Sequence, residues 1–325
     1  MATGNVLETE ELRLAYATEQ GTLRAVDGVD LELARGEALA VLGESGCGKS
    51  SLAKALLRTL PRNAHPPSGS MRLAGREVLG LPEERFRREV RWTRIALVMQ
   101  AAMNALNPVV RVGEQVAEPL RIHLRYGRRA ARQRAASAFE EVGIPADFLR
   151  RYPHELSGGM RQRAVLAMAL VTEPEVVILD EPTSALDVLT QASIMNVLKR
   201  IKQERGVSFM LITHDIATSS QIADRVALMY AGQVIETAPA GAFFEEPAHP
   251  YSRMLMASVP RLHEDEQPKG IPGRPPSLLD PPIGCRYAER CPRVHDACAK
   301  APPVARAGAR HHVRCWLHHG SGGGR

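Results

Sequence analysis

The 325-residue sequence lacks any apolar run approaching the ~18 residues that a membrane-spanning helix requires. Its first five residues do not resemble the start of a secretory signal peptide. Sustained heptads are also absent, which disfavours a long coiled coil. The net charge of +6 is small for this length and is spread along the chain, so nucleic-acid binding is not the default expectation. These absences predict a cytosolic protein whose association with a membrane would be peripheral.

The glycine-rich residues 43–50 match the phosphate-binding pattern G-x-x-x-x-G-K-[ST] at every fixed position. An apolar run before them predicts a buried strand, and the residues after them predict a helix. The glycines let the backbone wrap around an anion, toward which the loop amides and the helix N-terminus point positive dipoles. Lys49 can reach the β- and γ-phosphates, and the Ser50 hydroxyl suits Mg²⁺. The predicted nucleotide-binding residues of this phosphate loop are Gly43, Ser45, Gly46, Cys47, Gly48, Lys49, Ser50 and Ser51.

A second apolar run, residues 176–179, leads directly into Asp180 and Glu181. In parallel α/β sheets the carboxyl ends of strands commonly open at a site. Asp180 is placed to hold Mg²⁺ and Glu181 to activate a water molecule, with two exposed acids after a strand as the structural alternative. His214 follows a third such strand, although most histidines are simply packed or solvated.

The character of the sequence changes at about residue 101. Prolines punctuate a stretch rich in arginine and alanine, with helical spacing over residues 128–142. This pattern predicts a helical subdomain inserted at about residues 101–165, with its arginines on a solvated face. Ser157 can cap the helix that follows, where Gly158 and Gly159 leave backbone amides open to an anion.

These motifs, in this order, resemble the ATPase subunits of ABC transporters over roughly residues 5–250. Residues 156–162 match the family signature, residues 184–187 its D-loop, Gln100 its Q-loop and Tyr16 its base-stacking aromatic residue. On its own, Tyr16 could equally be a packing residue. The resemblance implies an α/β fold: a P-loop NTPase core with an antiparallel β-portion and an inserted α-helical subdomain. It also implies a head-to-tail dimer of ATPases with ATP at the interface.

The resemblance further implies a role for each motif. Glu181 would polarise the attacking water and His214 would hold the γ-phosphate. Ser157 and Gly159 would complete the ATP site of the other subunit, with Gly158 and Asp187 also close to nucleotide. The residues that would serve one ATP are Tyr16, Lys49, Ser50, Gln100, Asp180, Glu181 and His214, of which Ser50, Gln100 and Asp180 would hold Mg²⁺.

A narrower resemblance is to the ATPases of oligopeptide and dipeptide importers. It lies in residues 104–108, 249–252, 271–277 and 282–285, whereas Ala101 and Ala102 depart from an acidic-Pro pair common in that group. The implied partners are a second ATPase subunit, expected to be a paralogue, two transmembrane permease subunits and an extracytoplasmic solute-binding protein. The implied location is the cytoplasmic face of the inner membrane, and no nucleic-acid partner is expected.

Four of the five cysteines lie in the last forty-one residues, spaced C-x5-C-x6-C-x16-C: Cys285, Cys291, Cys298 and Cys315. This part of the chain is poor in apolar residues, so it is expected to bury little core and to gain from a metal staple. Four thiolates suit Zn²⁺ or an iron–sulfur cluster, and the absence of C-x2-C disfavours a zinc ribbon. The importer resemblance favours a [4Fe–4S] cluster, with free thiols or disulfides as the remaining alternative. His311 and His312 are substitute ligands, or else solvated.

The sequence thus predicts an ATPase domain in residues 1–255 and a C-terminal extension in residues 256–325, called the extension below. The predicted function is ATP hydrolysis coupled to uptake of peptides, or alternatively of nickel or oligosaccharides. Two other classes stay open. One is a soluble ABC-type ATPase of DNA repair or translation, although those usually carry two ATPase halves or a coiled coil. The other is a regulatory module whose cysteines sense redox state and gate the ATPase.

Overall fold

A computed structural model describes residues 4–100, 102–184, 186–258 and 270–319. Ala101 and Ala185, the second residue of the predicted D-loop, therefore lie outside the described residues. So do residues 259–269 and 320–325 of the predicted extension. The chain divides into two compact units, which are described separately. Unit 1 comprises Met1–Glu8, Glu32–Ala38 and Met71–Thr213, and unit 2 comprises Thr9–Leu31, Leu39–Ser70 and His214–Arg325, each within the described ranges.

The strands within the described ranges are β1 (Asn5–Thr18), β2 (Gly21–Ala34), β3 (Ala38–Leu42), β4 (Ser68–Leu73), β5 (Arg76–Glu77), β6 (Ile95–Val98), β7 (Val176–Asp180), β8 (Ser208–Ile212), β9 (Arg225–Tyr230), β10 (Gln233–Pro239), β11 (Val304–Gly308) and β12 (His311–Arg314). The α-helices there are α1 (Lys49–Leu57), α2 (Glu83–Glu89), α3 (Val112–His123), α4 (Arg128–Glu141), α5 (Gly158–Leu170), α6 (Val188–Arg205), α7 (Ile216–Ser220), α8 (Ala240–Glu245) and α9 (Pro250–Ala257). No helix among them is both long and apolar enough to cross a membrane.

Unit 1 contains three parallel strands in the order β6-β7-β8. Strands β7 and β8 are buried at every residue, which explains why their sequences are continuous apolar runs rather than alternating ones. The register places Asp180, the last residue of β7, beside Ile212 of β8. The carboxylate strand therefore ends level with its neighbour, at the edge where sites form in parallel sheets.

Helices α3, α4 and α5 pack against one another in unit 1. Alanines and one phenylalanine form the buried face of α4, at Ala131, Ala135, Ala138 and Phe139. Gly113 lets α3 approach the backbone of Leu149 closely, because a Cβ at Gly113 would lie 2.7 Å from the Leu149 carbonyl oxygen. Small residues thus allow the close helix packing of this region.

In unit 2, β3 runs parallel to β9, and β10 is antiparallel to β9 on its other side. Strand β12 of the extension pairs antiparallel with β10, and β11 pairs with β12. Tyr287, also from the extension, is 1% exposed and lies in the apolar core that β9 and β10 cover. The expectation that the extension buries little core is therefore wrong, because it joins a core built by the rest of the unit.

Candidate nucleotide-binding site

The phosphate loop of residues 43–50 joins β3 to α1, as its flanking pattern predicts. Its glycines are required by space as well as by backbone angle. A Cβ at Gly43, whose φ is +150°, would lie 2.3 Å from the Met229 carbonyl oxygen. At Gly48, with φ +111°, it would lie 2.1 Å from the Ala25 carbonyl oxygen. Any side chain at either position would push the loop away from the structure that supports it.

Lys49 is the first residue of α1 and is 6% exposed. Its Nζ donates to the carbonyl oxygens of Gly43 (2.7 Å) and Glu44 (2.9 Å), so the ammonium group is held inside the curve of the loop. Cys47 is also buried there, and burial raises the pKa of its thiol while Lys49 partly offsets the effect. The loop thus has a fixed cation facing the space that its backbone surrounds.

Tyr16, on β1, is tied to the helix that follows the phosphate loop. Its hydroxyl donates to Oγ of Ser51 in α1 at 3.2 Å. This bond orients the ring of the residue predicted to stack on a nucleobase. His214 also belongs to unit 2, where its side chain is exposed, and the next residue, Asp215, caps α7 by accepting from the Thr218 backbone N–H at 3.0 Å.

In unit 1, Gln100 and Glu181 are in direct contact. The Gln100 side-chain amide donates to Oε2 of Glu181 at 2.6 Å. Glu181 has a positive φ of +49°, and its backbone N–H donates to the Ile212 carbonyl at 2.8 Å. Asp180, one residue earlier, is 7% exposed. The two acids after the apolar strand are thus differently placed, one buried at the strand end and one turned into contact with Gln100.

The signature and D-loop residues also meet in unit 1. Ser157 caps α5 by accepting from the Met160 backbone N–H at 3.3 Å, and Asp187 caps α6 by accepting from the Thr190 N–H at 2.9 Å. These bonds to Thr190 hold the pKa of Asp187 below its usual value. Gly159 approaches the same threonine, because a Cβ at Gly159 would lie 2.6 Å from Thr190 Cγ2. Gly158, by contrast, has open space around its Cα.

The predicted site residues therefore fall into two groups. Unit 1 brings Gln100 next to Glu181 and the signature glycine next to the D-loop helix. Unit 2 holds Tyr16, the phosphate loop and His214. The larger set predicted to serve one ATP contains residues of both units.

The predicted metal site of the extension is not supported. No group of three or more His, Cys, Asp or Glu side chains within the described ranges is arranged to hold a metal ion. Burial raises the pKa of Cys285 to about 11, and the charges of the other three thiols add to this effect. Burial likewise raises the pKa values of Cys291 and Cys315. These thiols are therefore protonated at neutral pH in the metal-free chain, and a metal ion would have to displace their protons to bind.

His311 is buried rather than solvated. Its Nε2 lies 2.7 Å from Oε1 of Glu236, in a buried contact between β12 and β10. Glu236 also accepts from the backbone N–H groups of Ala248 (2.8 Å) and His249 (2.7 Å) and from the Ser252 hydroxyl. His312, its neighbour, is exposed as expected. The contact of His311 with Glu236 joins residues that lie far apart in the sequence and that no local pattern connects.

Sequence reasoning also missed two residues that support the phosphate loop, Arg290 of the extension and Tyr251 of α9. Arg290 makes an ion pair with Glu44, the second residue of the loop, and the Tyr251 hydroxyl accepts from the Glu44 backbone N–H at 3.2 Å. Tyr251 lies in the His-Pro-Tyr-Ser segment that the sequence singled out. An Arg directly before Cys291 was the only signal available for the other partner.

Two family models match the chain: ABC transporter, at residues 26–184, and the C-terminal region of oligopeptide/dipeptide transporters, at residues 235–298. The dipeptide transport ATP-binding protein DppD of Bacillus subtilis (strain 168) is 41% identical, over 96% of this chain and 94% of its own length. The oligopeptide transport ATP-binding protein OppD of Escherichia coli (strain K12) is 41% identical, over 92% of this chain and 89% of its own length.

Solved structures agree with the fold. A dimeric post-hydrolysis structure of the ATP-binding cassette MJ0796, bound to ADP and Pi, matches with a TM-score of 0.64 at 26% identity. The match covers 72% of this chain and 98% of the MJ0796 chain. The α/β fold of the ABC ATPase type predicted from the sequence is thereby confirmed. The relatives that are 41% identical match this chain over nearly their whole length. The chain therefore belongs to the ABC ATPase family, in the group with an oligopeptide/dipeptide transporter C-terminal region.

Proposed function

We propose that this chain is the ATP-hydrolysing subunit of an importer for dipeptides or oligopeptides. The observation that carries the proposal is the nearly full-length match to proteins named as dipeptide and oligopeptide transport ATP-binding proteins. The match includes the extension, which distinguishes this group from a minimal cassette: the solved cassette covers only 72% of the chain. An ATPase core alone would not favour peptides over other solutes.

Binding of ATP would begin at the phosphate loop. Lys49 would exchange the two loop carbonyls that it now contacts for oxygens of the β- and γ-phosphates. Mg²⁺ would neutralise phosphate charge, held by oxygen donors of Ser50, Gln100 and Asp180, which are the ligand type that this ion prefers. Tyr16, oriented by Ser51, would stack on the base.

Hydrolysis would use Glu181 as general base toward the attacking water. The Gln100 amide, 2.6 Å from this carboxylate, would keep its oxygen correctly oriented until the water arrives. His214 would hold the γ-phosphate. Ser157, Gly158 and Gly159, with their α5 N-terminus, would stabilise the phosphate bound to a second ATPase subunit, and Asp187 would lie close to the same interface.

Transport would follow from closure of two ATPase subunits on ATP and their reopening after hydrolysis. The expected partners are a paralogous ATPase, two permease subunits and a solute-binding protein, at the cytoplasmic face of the membrane. The solute itself is chosen by those partners, so nickel and oligosaccharides stay as alternative cargoes.

The Glu181→Gln variant tests the catalytic assignment. Removing the base while keeping the shape should lower ATP turnover by at least about 100-fold, since positioned general bases contribute 10²–10⁴-fold. ATP-dependent dimerisation should persist, because glutamine can still occupy the contact with Gln100. Turnover is measured by phosphate release and dimerisation by light scattering. Turnover at the wild-type rate would show that another group is the base.

Uptake tests the cargo. A strain deleted for this gene should fail to take up a radiolabelled dipeptide, and the wild-type gene, but not the Glu181→Gln gene, should restore uptake. Labelled nickel and a labelled oligosaccharide serve as parallel cargoes. Restoration of either of these without the dipeptide would replace the peptide assignment with that solute.

Affinity capture of the chain, expressed at its native level, from detergent-solubilised membranes distinguishes a transport role from that of a soluble ATPase. Two multi-span proteins and a second ATPase should accompany it. Recovery from the soluble fraction with ribosomal or nucleic-acid partners would overturn the transport proposal and leave the ATPase chemistry standing.

A [4Fe–4S] cluster, or Zn²⁺ in its place, stays a prediction of the importer resemblance and rests on the spacing of the four cysteines in the sequence. Iron, sulfide and zinc analysis of the full chain purified without oxygen decides it. The cluster would be supported by about four irons per wild-type chain and by their loss in Cys298→Ser, because four thiolates hold such a cluster. Metal-free protein with four titratable thiols would exclude both metals.

A further inference from the structure

The phosphate loop is contacted from far along the chain by an arginine of the extension. The Arg290 side chain is only 5% exposed. It donates from Nη1 to Oε2 of Glu44 at 2.9 Å and from Nη2 to Oε1 at 3.0 Å. This two-pronged pairing fixes the carboxylate in orientation as well as in position.

Arg290 is itself held on several sides. Its Nε donates to the Pro272 carbonyl at 2.8 Å, and Nη1 also donates to the Tyr230 hydroxyl at 3.1 Å. The guanidinium lies over the rings of Tyr230 (5.7 Å) and Tyr287 (5.9 Å). A group with this many contacts has little freedom to move, so it can act as a fixed anchor for the loop.

The backbone of Glu44 is tied down as well. Its N–H donates to the Tyr251 hydroxyl at 3.2 Å, and its carbonyl accepts from Lys49 Nζ at 2.9 Å. The Tyr251 ring lies 4.7 Å from that of Tyr230, centroid to centroid, and so belongs to the same cluster that surrounds Arg290. A displacement of Glu44 would therefore be passed to Lys49, the residue that binds phosphate.

Arg286, four residues earlier, supports the loop through the β9–β10 turn. It donates to the carbonyl oxygen of Ala231 and makes an ion pair with Asp27. The next residue of the turn, Gly232, donates its N–H to the Cys47 carbonyl at 2.8 Å. The extension thus reaches the phosphate loop directly through one arginine and indirectly through another.

The negative charge of Glu44 is unfavourable in a phosphate-binding loop, and Arg290 neutralises it. A loop that binds the phosphates of a nucleotide is weakened by a carboxylate of its own, because like charges repel. Paired with the guanidinium, the Glu44 carboxylate is neutralised and its oxygens are turned to the extension. Without the arginine, the same carboxylate would be free to approach the phosphates.

We propose that Arg290 is a positioning residue for the phosphate loop: it neutralises and anchors Glu44, so that the loop keeps the conformation and charge that bind nucleotide. The extension thereby sets the nucleotide affinity of the ATPase core. The inference rests on the proposed nucleotide-binding role of the loop, and it adds a residue that lies outside every motif of that role.

The test is a double-mutant cycle on the full chain, with MgADP affinity measured by fluorescence of a labelled nucleotide. Arg290→Met keeps much of the side-chain length and apolar contact but frees the Glu44 carboxylate, and should raise Kd about tenfold. Adding Glu44→Gln should return Kd to within about threefold of wild type, because the repelling charge is gone. Arg290→Lys, with charge but no fork, should lie between.

Arg293→Gln is the matched control. Arg293 is exposed and lies two residues after Cys291, so a change acting merely through that cysteine would appear in both variants. Its Kd should equal that of wild type. The Arg290→Met defect should also shrink at high salt, which screens repulsion between charges and would not restore a merely misfolded loop.

Three results would overturn the inference: a folded Arg290→Met chain with wild-type Kd, a double variant as weak as the single one, or equal defects in Arg290→Met and Arg293→Gln. If Arg290→Met did not fold, Arg290→Lys and its pairing with Glu44→Gln would carry the same comparison. A wild-type chain that bound no MgADP would instead overturn the proposed function itself.

Discussion

Glu236 shows how a single residue can join distant parts of a chain. Its carboxylate is fully buried, and four donors from β12, from α9 and from the segment before α9 converge on it. These hydrogen bonds hold its pKa below the usual value against the opposing effect of burial. A buried carboxylate satisfied in this way stabilises only the arrangement that brings all its donors together.

His249 donates to Glu236 through its backbone N–H, and its buried side chain should make the stability of the protein depend on pH. Burial lowers the pKa of its imidazole from 6.5 to about 4. Between these values the unfolded chain binds a proton that the folded chain does not, so the free energy of unfolding falls as pH falls. This histidine alone should remove about 2 kcal/mol between pH 7.5 and 5.

The measurement is urea unfolding of wild type and His249→Asn at pH 7.5 and 5. Asparagine can still accept from the Tyr251 N–H as the cap of α9 but does not titrate. The variant should therefore lose about 2 kcal/mol less on acidification. Working above pH 4.5 excludes Glu236, whose lowered pKa acts in the same direction at lower pH. Equal slopes for the two proteins would refute the assignment.

At the scale of elements, the signature helix α5 and the D-loop helix α6 depend on one close approach. Gly159 of α5 has room for no side chain against Thr190, whose N–H and hydroxyl are bound to Asp187. The two motifs that would face a partner subunit are thus fixed to each other within one chain. A shift in one helix end should displace the other.

Gly159→Ala should accordingly destabilise the protein, by about 1–3 kcal/mol as for other overpacked sites, because its Cβ would lie 2.6 Å from Thr190 Cγ2. Gly158→Ala is the matched control, since nothing lies within 4 Å of its added Cβ. Thermal unfolding of both variants provides the comparison. Equal melting temperatures for the two variants would mean that the contact is not a constraint.

For the molecule as a whole, the extension is an integral part of unit 2. Its strands β11 and β12 continue the sheet from β10, and its Tyr287 ring packs against those of Tyr230 and Tyr251, at centroid distances of 5.3 and 5.2 Å. The extension therefore contributes to the same core as β9 and α9. A segment with few apolar residues can be stabilised in this way without a core of its own.

Tyr287→Ala should lower the free energy of unfolding by about 3–5 kcal/mol, as expected for loss of a buried aromatic ring. Tyr287→Phe should cost less than about 1 kcal/mol, because the buried hydroxyl has no hydrogen-bond partner in the described part of the chain. Chemical denaturation of both variants measures the difference. A similar loss in both would show that the hydroxyl, rather than the ring, carries the stability.

The strands and the motifs at their ends follow from local sequence. The apolar runs before residue 43, before Asp180 and before His214 fold as the strands they predict, because burial on both faces requires continuous apolar sequence. The phosphate loop was predictable for a related reason. Its glycines, lysine and serine must be contiguous to surround one anion.

The contacts of the extension, by contrast, arise from packing between distant parts of the chain. Arg290 and Glu44 are 246 residues apart, and His311 and Glu236 are 75 apart, so no periodicity or spacing links the partners. Pairing β12 with β10 brings His311 to Glu236, and packing Tyr287 into the core brings Arg290 to the loop. Contacts between distant residues depend on how the elements pack, which local sequence does not encode.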